Sequence, residues 1–285
     1  MNTYSLLDSG ENQKLEQIGK FQIIRPSQNS PYLKTKPHTW NNPDAIYHRN
    51  DKGGGHWQFV RHIPEEQIIS YAGMKIKIKL TPFGHLGIFP EQKSNWDLIR
   101  SLGSGYSQEE VLNLFAYSGL STIACLLAEM PVCHVDSSKG MVDWARENAM
   151  INNLENKKVR WIIEDVLKFV KREVKRKKIY KGFILDPPSF GRGSKGEVWK
   201  IEKHLPELME LLMQLCHSEP EFIILSCHTT GYSPIGLERL LRSMVKSEGQ
   251  YYSGELFVEE KSGSKLPGGF CSYFISSKFK GIKPI

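Results

Sequence analysis

From Val111 onward, short apolar runs alternate with amphipathic stretches, a pattern that predicts repeated strand–helix units. Val166, Val170 and Val174 recur every fourth residue and therefore share one face of a helix. Strands are expected at 111–115, 132–135, 159–163, 182–185 and 221–225. Helices are expected between them, at about 120–130, 138–148, 166–174, 198–216 and 234–248. Five such repeats predict an α/β fold, with a doubly wound, mostly parallel sheet covered by helices on both faces.

The two ends of the chain have strand-like patterns of a different kind. Two late strands, near 251–259 and 270–276, flank a turn rich in Gly and Pro and predict a C-terminal hairpin. The first 105 residues are rich in Gly, Pro, His and aromatics and show little helical periodicity. Strands are expected there at 21–24, 56–60 and 75–80, with an irregular stretch over 27–50. We therefore expect a small β-rich N-terminal domain over 1–80, a candidate substrate-binding region, and a larger domain over 81–285.

Composition narrows the class of protein. The chain has 285 residues, of which 40% are hydrophobic and 24% charged, values that exclude a disordered, collagen-like or coiled-coil protein. The net charge of +7 suits a polyanionic partner, although solubility alone would explain it. The sequence has no apolar run long enough to span a membrane, no signal-peptide pattern and no CxxC pair among its five cysteines. We expect a cytoplasmic protein without a metal site.

Polar or turn residues follow each predicted strand, at the sheet edge where doubly wound folds bind ligands. The turn in Asn113–Gly119 has a single glycine, which is a weak pattern for a dinucleotide, but the following helix could receive a carboxylate. Asp136 could accept hydrogen bonds from two ribose hydroxyls, and Asp165 could accept one from an adenine amino group. Either aspartate could instead cap the next helix.

The segment Asp186-Pro187-Pro188-Ser189-Phe190 is the most specific motif. Two prolines fix the backbone and remove two N–H donors. The Asp186 carboxylate and the backbone carbonyls could then face a planar base, with Phe190 stacked on it. The alternative is a rigid turn without a binding role. A glycine-rich loop follows, in which Arg192 and Lys195 could contact phosphates near a flipped base.

Taken together, these motifs resemble the class I S-adenosylmethionine-dependent methyltransferases. More narrowly, they are similar to the ribosomal RNA large-subunit methyltransferase family that contains cytosine-C5 enzymes. Gly84–Gln92, followed by Asn95 and Trp96, resembles the family segment that closes the cofactor pocket. The resemblance extends over about 82–280 and implies a seven-stranded Rossmann-like sheet. It is carried by Asn113–Gly119, Asp136, Asp165, Asp186–Phe190 and Ser226–Cys227.

The resemblance implies S-adenosylmethionine as cofactor and a base of RNA as substrate. Ribosomal RNA is the partner that the resemblance implies, and RNA is preferred over DNA because structured RNA exposes unstacked bases. The implied cofactor contacts are Gln92, Phe115, Tyr117, Ser118, Gly119, Asp136, Ser137, Asp165 and Asp186. The expected substrate contacts are Pro187, Pro188, Phe190, Arg192 and Lys195. The sequence departs from the cytosine-C5 members at residues 1–80, which do not resemble their N-terminal PUA-type domain, and at His228, where a small polar residue is usual.

Two chemistries remain open for the catalytic step. In cytosine C5 methylation, a Cys227 thiolate would add to C6 while Asp186 acts near N3, and a protonated His228 could lower the thiol pKa. Cys227 could equally be a small buried residue. The alternative is methylation of a guanine or adenine nitrogen, oriented by the Asp186–Phe190 turn, which needs no cysteine. A small-molecule or protein methyltransferase, a non-catalytic RNA-binding assembly factor and a dinucleotide-dependent oxidoreductase are the less favoured classes.

Overall fold

The computed structural model describes residues 2–50, 54–193 and 196–282. The chain forms two compact units, one of Met1–Gln92 with Phe257–Gly268 and the other of Lys93–Leu256 with Gly269–Ile285. The first unit thus continues past residue 80, the boundary expected from the sequence, and takes in a segment from near the C-terminus. That segment bonds to the first strand of the chain: the Ser9 hydroxyl donates to Glu260 Oε1 at 2.5 Å.

Seven strands build the first unit. They are β1 (Tyr4–Gly10), β2 (Gln13–Ile18), β3 (Phe21–Pro26), β4 (Ala45–Arg49), β5 (Gly55–Phe59), β6 (Glu66–Tyr71) and β7 (Met74–Lys79). The first five form one sheet in chain order, antiparallel except for the parallel pair β3 and β4. A separate antiparallel hairpin consists of β6 and β7. The predicted β-rich N-terminal region is confirmed.

Local sequence accounts for the β6–β7 hairpin. Ala72 and Gly73 connect the two strands with φ of 50° and 75°, the positive angles that tight two-residue hairpin turns require. Along β7, Met74, Ile76 and Ile78 are buried, because alternate residues of a strand lie on the same face. The lysines between them lie on the opposite face, as the alternation predicts.

A buried charge cluster joins β1, β2 and β3. Arg25 donates from Nε to Glu16 Oε2 at 2.6 Å and from Nη2 to Oε1 at 2.7 Å. The Tyr4 hydroxyl donates to the same Oε1 at 2.9 Å. Burial raises the pKa of Glu16, but the charges of Arg25 and Lys14 outweigh that effect and bring the pKa to about 2. Glu16 is therefore ionised under all mild conditions.

The second unit alternates helices and strands. Its helices are α1 (Lys93–Leu102), α2 (Leu120–Leu127), α3 (Lys139–Ile151), α4 (Val166–Lys175), α5 (Ile201–Leu215) and α6 (Pro234–Met244). Its strands, of which the last two extend into the first unit, are β8 (Val111–Leu114), β9 (Val132–Asp136), β10 (Val159–Ile163), β11 (Gly182–Leu185), β12 (Phe190–Arg192), β13 (Val198–Lys200), β14 (Phe222–Cys227), β15 (Gly249–Glu259) and β16 (Lys265–Ser276). Within the parts of the chain that the structure covers, no helix combines the length and apolarity needed to cross a membrane.

Seven of these strands form one sheet in the order β10-β9-β8-β11-β14-β16-β15. Neighbours from β10 to β14 are parallel, and β16 runs antiparallel to β14. The predicted seven-stranded, doubly wound sheet is confirmed. Chain order reverses between β8 and β11, so the loops that follow these two strands lie side by side at the point where such sheets bind ligands.

Strands β1, β2, β4 and β6 were not predicted, and β4 lies within the stretch 27–50 that was expected to be irregular. Two further differences concern the second unit. The segment 93–102 forms α1, although no helix was predicted before residue 105. Residues 198–200 form β13, which pairs with β12, so α5 begins at Ile201 instead of near 198. The cause of the second difference is tertiary: the Trp199 indole N–H donates to the Pro188 carbonyl at 2.7 Å and holds this segment extended.

Candidate functional site

The loop after β8 turns sharply at the carboxyl edge of the sheet. Phe115, Tyr117 and Gly119 have φ of 57°, 50° and 86°, a conformation uncommon for residues other than glycine. A Cβ on Gly119 would lie 2.6 Å from Ala145 Cβ, so only glycine fits where the loop meets α3. Ser118 is buried, and its carbonyl accepts from Asn148 Nδ2 at 2.9 Å. The loop is therefore fixed against α3 at the start of α2.

Asp136 ends β9 and bonds to this loop. Its Oδ2 accepts from the Tyr117 N–H and its Oδ1 from the Ser138 N–H, both at 2.9 Å. Burial raises the pKa of Asp136, and these two backbone hydrogen bonds partly oppose that shift. Each carboxylate oxygen still has a second acceptor position. Asp136 can therefore hold the loop and also accept hydrogen bonds from a vicinal diol.

The next two predicted positions lie at helix starts. Asp165 caps α4, with Oδ1 accepting from the Lys168 N–H at 3.0 Å. The helix-capping role considered as the alternative to adenine binding therefore holds for at least one of its oxygens. Ser138 caps α3 through its side chain, which leaves the half-buried Ser137 next to Asp136 without that role. Asp136, Ser137 and Asp165 follow the adjacent strands β9 and β10.

The Asp186–Phe190 turn follows β11 and is fixed from several directions. The Pro188 carbonyl accepts from Trp199, and the hydroxyls of Ser189 and Thr229 lie 2.8 Å apart. Pro187 is buried, whereas Phe190 is 51% exposed. The Arg192 guanidinium lies 5.8 Å from the centre of the Phe190 ring. Lys195, the other predicted phosphate contact, lies outside the described residues.

Asp186 itself is half-buried, and one of its oxygens faces a histidine. His228 Nε2 lies 3.3 Å from Asp186 Oδ1, and both side chains are about one-third exposed, at 37% and 31%. This pairing of the strand ends β11 and β14 leaves the carboxylate within reach of solvent. Asp186 can accept hydrogen bonds from a ligand amino group.

Cys227 occupies a different environment. Its side chain is completely buried in the hydrophobic core, where Leu225 and Phe274 belong to the same cluster. Burial raises the pKa of the Cys227 thiol, the opposite of the lowering proposed for a protonated His228 neighbour. The other four cysteines are also buried, as expected for core residues.

Two contributors to this edge have no signal in the hydrophobic pattern. The Trp199 ring lies 4.8 Å from that of Phe115, so β13 contacts the loop after β8 as well as the turn after β11. Asn95 of α1 donates to Ser226 Oγ at 3.1 Å and accepts from the Tyr273 hydroxyl at 2.6 Å. Both depend on contacts between residues distant in sequence, so spacing alone could not predict them.

Gln92 is the one predicted cofactor residue outside the second unit. It is buried and ends the short 3₁₀ helix Pro90–Gln92 of the first unit. In the described ranges there is no group of three or more His, Cys, Asp or Glu side chains that could hold a metal ion.

Comparison with known families identifies the family of the chain. A family model described as S-adenosylmethionine-dependent methyltransferase matches residues 49–229, more than half of the chain. The chain belongs to this family. The family description names S-adenosylmethionine, which supports an enzyme with this cofactor over a dinucleotide-dependent oxidoreductase.

Individual relatives of the enzyme agree with this assignment. A solved S-adenosylmethionine-dependent methyltransferase from Agrobacterium tumefaciens is 32% identical, with a TM-score of 0.89 over 95% of this chain and 90% of that one. A Streptococcus mutans structure at 16% identity has a TM-score of 0.73 over 96% of this chain and 75% of that one, which shows the fold alone. The ribosomal RNA large subunit methyltransferase K/L of Shewanella frigidimarina is 28% identical over 186 residues, 64% of this chain. The enzyme spans about a quarter, 25%, of that relative's length.

The geometry at the sheet edge fits the cofactor. A half-buried carboxylate with acceptor positions left over suits a ribose diol, and its hydrogen bond from the Tyr117 N–H fixes the turn before α2 beside it. S-Adenosylmethionine, when bound, supplies a methyl group on a sulfonium sulfur that is already activated for transfer. The remaining task of the protein is to bind, orient and exclude water.

Proposed function

We propose that the enzyme methylates an amino nitrogen of guanine or adenine in RNA, and that ribosomal RNA is the substrate. The observation that carries this proposal is the Asp186–Phe190 turn, where a solvent-accessible carboxylate and an exposed aromatic ring stand together at the sheet edge. An amino group donates to a carboxylate, and a base stacks on an aromatic face. One turn can therefore bind both features of an aminopurine.

The cofactor contacts that we propose lie on the neighbouring strand ends. Asp136 would hold the ribose hydroxyls, and the turn at Phe115, Tyr117, Ser118 and Gly119 would line the methionine part. Asp165 and Ser137 would face the adenine side, and Asp186 would complete the pocket. The spare acceptor positions of Asp136 and the fixed backbone of the turn support these roles.

The target nitrogen needs orientation more than activation. The Asp186 carboxylate would accept a hydrogen bond from the amino group and so align the nitrogen lone pair for transfer. Asp186 is also the nearby base for the proton that the methylated nitrogen releases. His228 Nε2, at 3.3 Å from Asp186 Oδ1, would hold the carboxylate in place during this step.

The environment of Cys227 favours nitrogen over cytosine C5. A covalent mechanism needs a thiolate that reaches the base. The Cys227 side chain is fully buried among apolar residues, and its burial disfavours the thiolate form. Methylation of an amino nitrogen makes no demand on this residue.

The names of the curated relatives and the surface of the turn support RNA as the substrate class. Those relatives are ribosomal RNA methyltransferases, and Phe190 with Arg192 over its ring offers the stacking and charge that an extruded base with its phosphate requires. The basic residues of α4 add less support for RNA binding than their number in the sequence suggests. Carboxylates pair with most of its cations, as in Lys168–Glu197, Lys171–Glu207 and Arg172–Glu164.

Two substitutions separate the alternatives. Asp186→Asn should lower kcat for methyl transfer to ribosomal RNA by about 10²–10⁴-fold, the usual loss for a positioned base. Cys227→Ala should retain its activity per folded molecule. Transfer is measured with labelled S-adenosylmethionine, and mass spectrometry of the digested RNA identifies the nucleoside.

Each variant has a result that contradicts the proposal. A folded Cys227→Ala protein without activity, together with 5-methylcytidine in the wild-type product, would establish the covalent C5 mechanism instead. Failure of the wild-type enzyme to methylate any RNA would point to a small-molecule or protein substrate. Calorimetry with S-adenosylmethionine is the folding and binding control for both variants.

A further inference from the structure

The first unit contains a cavity that the proposed reaction does not use. Its volume is about 180 Å³, and its walls come from β2, β3, β4 and the segment after β7. Cationic and aromatic groups dominate the lining, which includes Lys14, Arg25, Tyr47, Arg49, Phe83 and His85. The cavity lies wholly within this unit.

Three hydrogen bonds fix the loop that carries Phe83. The carbonyl of Thr81 accepts from the Trp57 indole at 2.8 Å, that of Pro82 from the Tyr47 hydroxyl at 2.9 Å, and that of Gly84 from Arg25 Nη1 at 2.8 Å. Phe83 stands in the middle of this loop and is 65% exposed. Because the residues on both sides of Phe83 are fixed by hydrogen bonds, its ring stays exposed at the cavity and does not pack into the core.

Gly84 shows how closely this loop packs. Its φ is 77°, and a Cβ there would lie 2.5 Å from Cε1 of the Tyr47 ring. Tyr47 in turn lies 5.1 Å from Trp57 between ring centres. A packed pair of aromatic rings therefore lies against Gly84, the residue next to the exposed Phe83.

Positive charge exceeds negative charge around the cavity. Arg25 and Lys14 share the buried Glu16, at 2.6 Å and 3.5 Å. Across residues 2–50, 54–193 and 196–282, no carboxylate pairs with Arg49, which also lines the wall. Glu91 is the acid of the lining, so together with Glu16 behind the wall two carboxylates stand against the three cations Lys14, Arg25 and Arg49. Burial lowers the pKa of His85, and the charges of Arg25, Arg49 and Lys14 lower it further, as a positive field requires.

We propose that this cavity binds one nucleotide of a single-stranded segment of the RNA substrate, with the base stacked on Phe83 and the phosphate against Arg49. The proposal rests on the proposed function, which makes RNA the substrate class. Aromatic stacking beside an unpaired cation is how proteins hold single strands without reading their sequence. Phosphate contacts of this kind position the nucleic acid and do not specify a base.

Two variants of the full-length enzyme test the assignment. The probe is a fluorescent single-stranded RNA of about 12 nucleotides, within the usual footprint of a stacking groove. Phe83→Ala should raise the Kd about tenfold, the loss expected for one stacked base. Arg49→Gln should raise the Kd severalfold and reduce the slope of log affinity against log salt by about 0.7, the value for one phosphate on a single strand.

Matched controls remove similar groups elsewhere. Leu33→Ala shortens an apolar side chain that is 80% exposed, and Arg239→Gln removes an exposed cation on α6. Both should bind the RNA probe like the wild type. Melting temperature verifies folding, and cofactor affinity verifies the second unit in each variant.

The outcomes distinguish this proposal from the proposed function. If the wild type binds and methylates RNA while both cavity variants keep its Kd and salt slope, the cavity is not an RNA site and the function stands. If AMP binds in a Phe83-dependent way but RNA affinity is unchanged by Phe83→Ala, the cavity takes a free nucleotide and the proposal is wrong. If the wild type binds no RNA, both proposals fail.

Discussion

At the scale of single residues, three buried polar side chains are linked by hydrogen bonds and connect the elements on either side of the loop after β8. His134 Nδ1 lies 2.9 Å from Thr122 Oγ1, which accepts from Asn113 Nδ2, also at 2.9 Å. The three side chains come from β9, α2 and β8. Burial lowers the pKa of His134 to about 3, and the charge of Arg146 contributes. His134 is therefore neutral near pH 7, and its hydrogen bond with Thr122 links β9 to α2.

This histidine should make stability depend on pH. The unfolded chain binds a proton near pH 6.5 and the folded chain near pH 3, so stability falls as the pH decreases through that window. The slope should approach 1.4 kcal/mol per pH unit, an approximate upper value for one proton. Glu16, with a pKa lowered from 4.5 to about 2, loses its contribution only below pH 4.5.

The free energy of unfolding is measured with urea between pH 6.5 and 4.5. In this range His134 becomes protonated in the unfolded chain, whereas Glu16 contributes only below it. His134→Gln should flatten the slope in this range, whereas His38→Gln at an exposed position should leave it unchanged. Equal slopes for wild type and His134→Gln would show that His134 is not the group responsible.

At the scale of elements, burial on both faces made the central strands predictable. Parallel strands such as β8, β11 and β14 are continuous apolar runs, because helices cover both sides of the sheet. In contrast, β1 and β2 bury Asp8 and Glu16, which break the apolar alternation. Their partners are distant in sequence: Asp8 accepts from the Trp40 indole at 2.8 Å. No local pattern could reveal such strands.

The β12–β13 hairpin is held beside the Asp186–Phe190 turn by the side chain of Trp199. Trp199→Phe keeps a ring beside Phe115 but removes the donor to the Pro188 carbonyl, a loss of about 1 kcal/mol for a typical hydrogen bond. We expect a lower kcat with little change in cofactor affinity, because the turn beside Asp186 loosens. Steady-state kinetics and calorimetry measure the two effects. Val198→Ala on the exposed face is the control, and equal kcat values for the two variants would contradict the role of the indole.

At the scale of the whole molecule, topology determined how much of the site was predictable. Parallel strands end at one sheet edge, so Asp136, Asp165 and Asp186 could be assigned to that edge from sequence alone. The pairing of Asp186 with His228 and the position of Trp199 follow from packing between elements, which spacing does not encode. Each unit consists of two separate segments of the chain, since Phe257–Gly268 belongs with the first 92 residues. A domain boundary assigned from local composition along the sequence cannot predict this arrangement.

The complete burial of all five cysteines gives the enzyme an internal reporter of unfolding. A thiol reagent can reach these sulfurs only when the surrounding core opens, and burial also raises the thiol pKa values, to about 12 for Cys133 and Cys271. Labelling by an aromatic disulfide in native buffer should therefore be slow and should accelerate with urea in step with loss of secondary structure. Rapid labelling of one thiol in native buffer would reveal a local opening at that residue. Chemical modification thus measures how often the core of the second unit opens, with no introduced label.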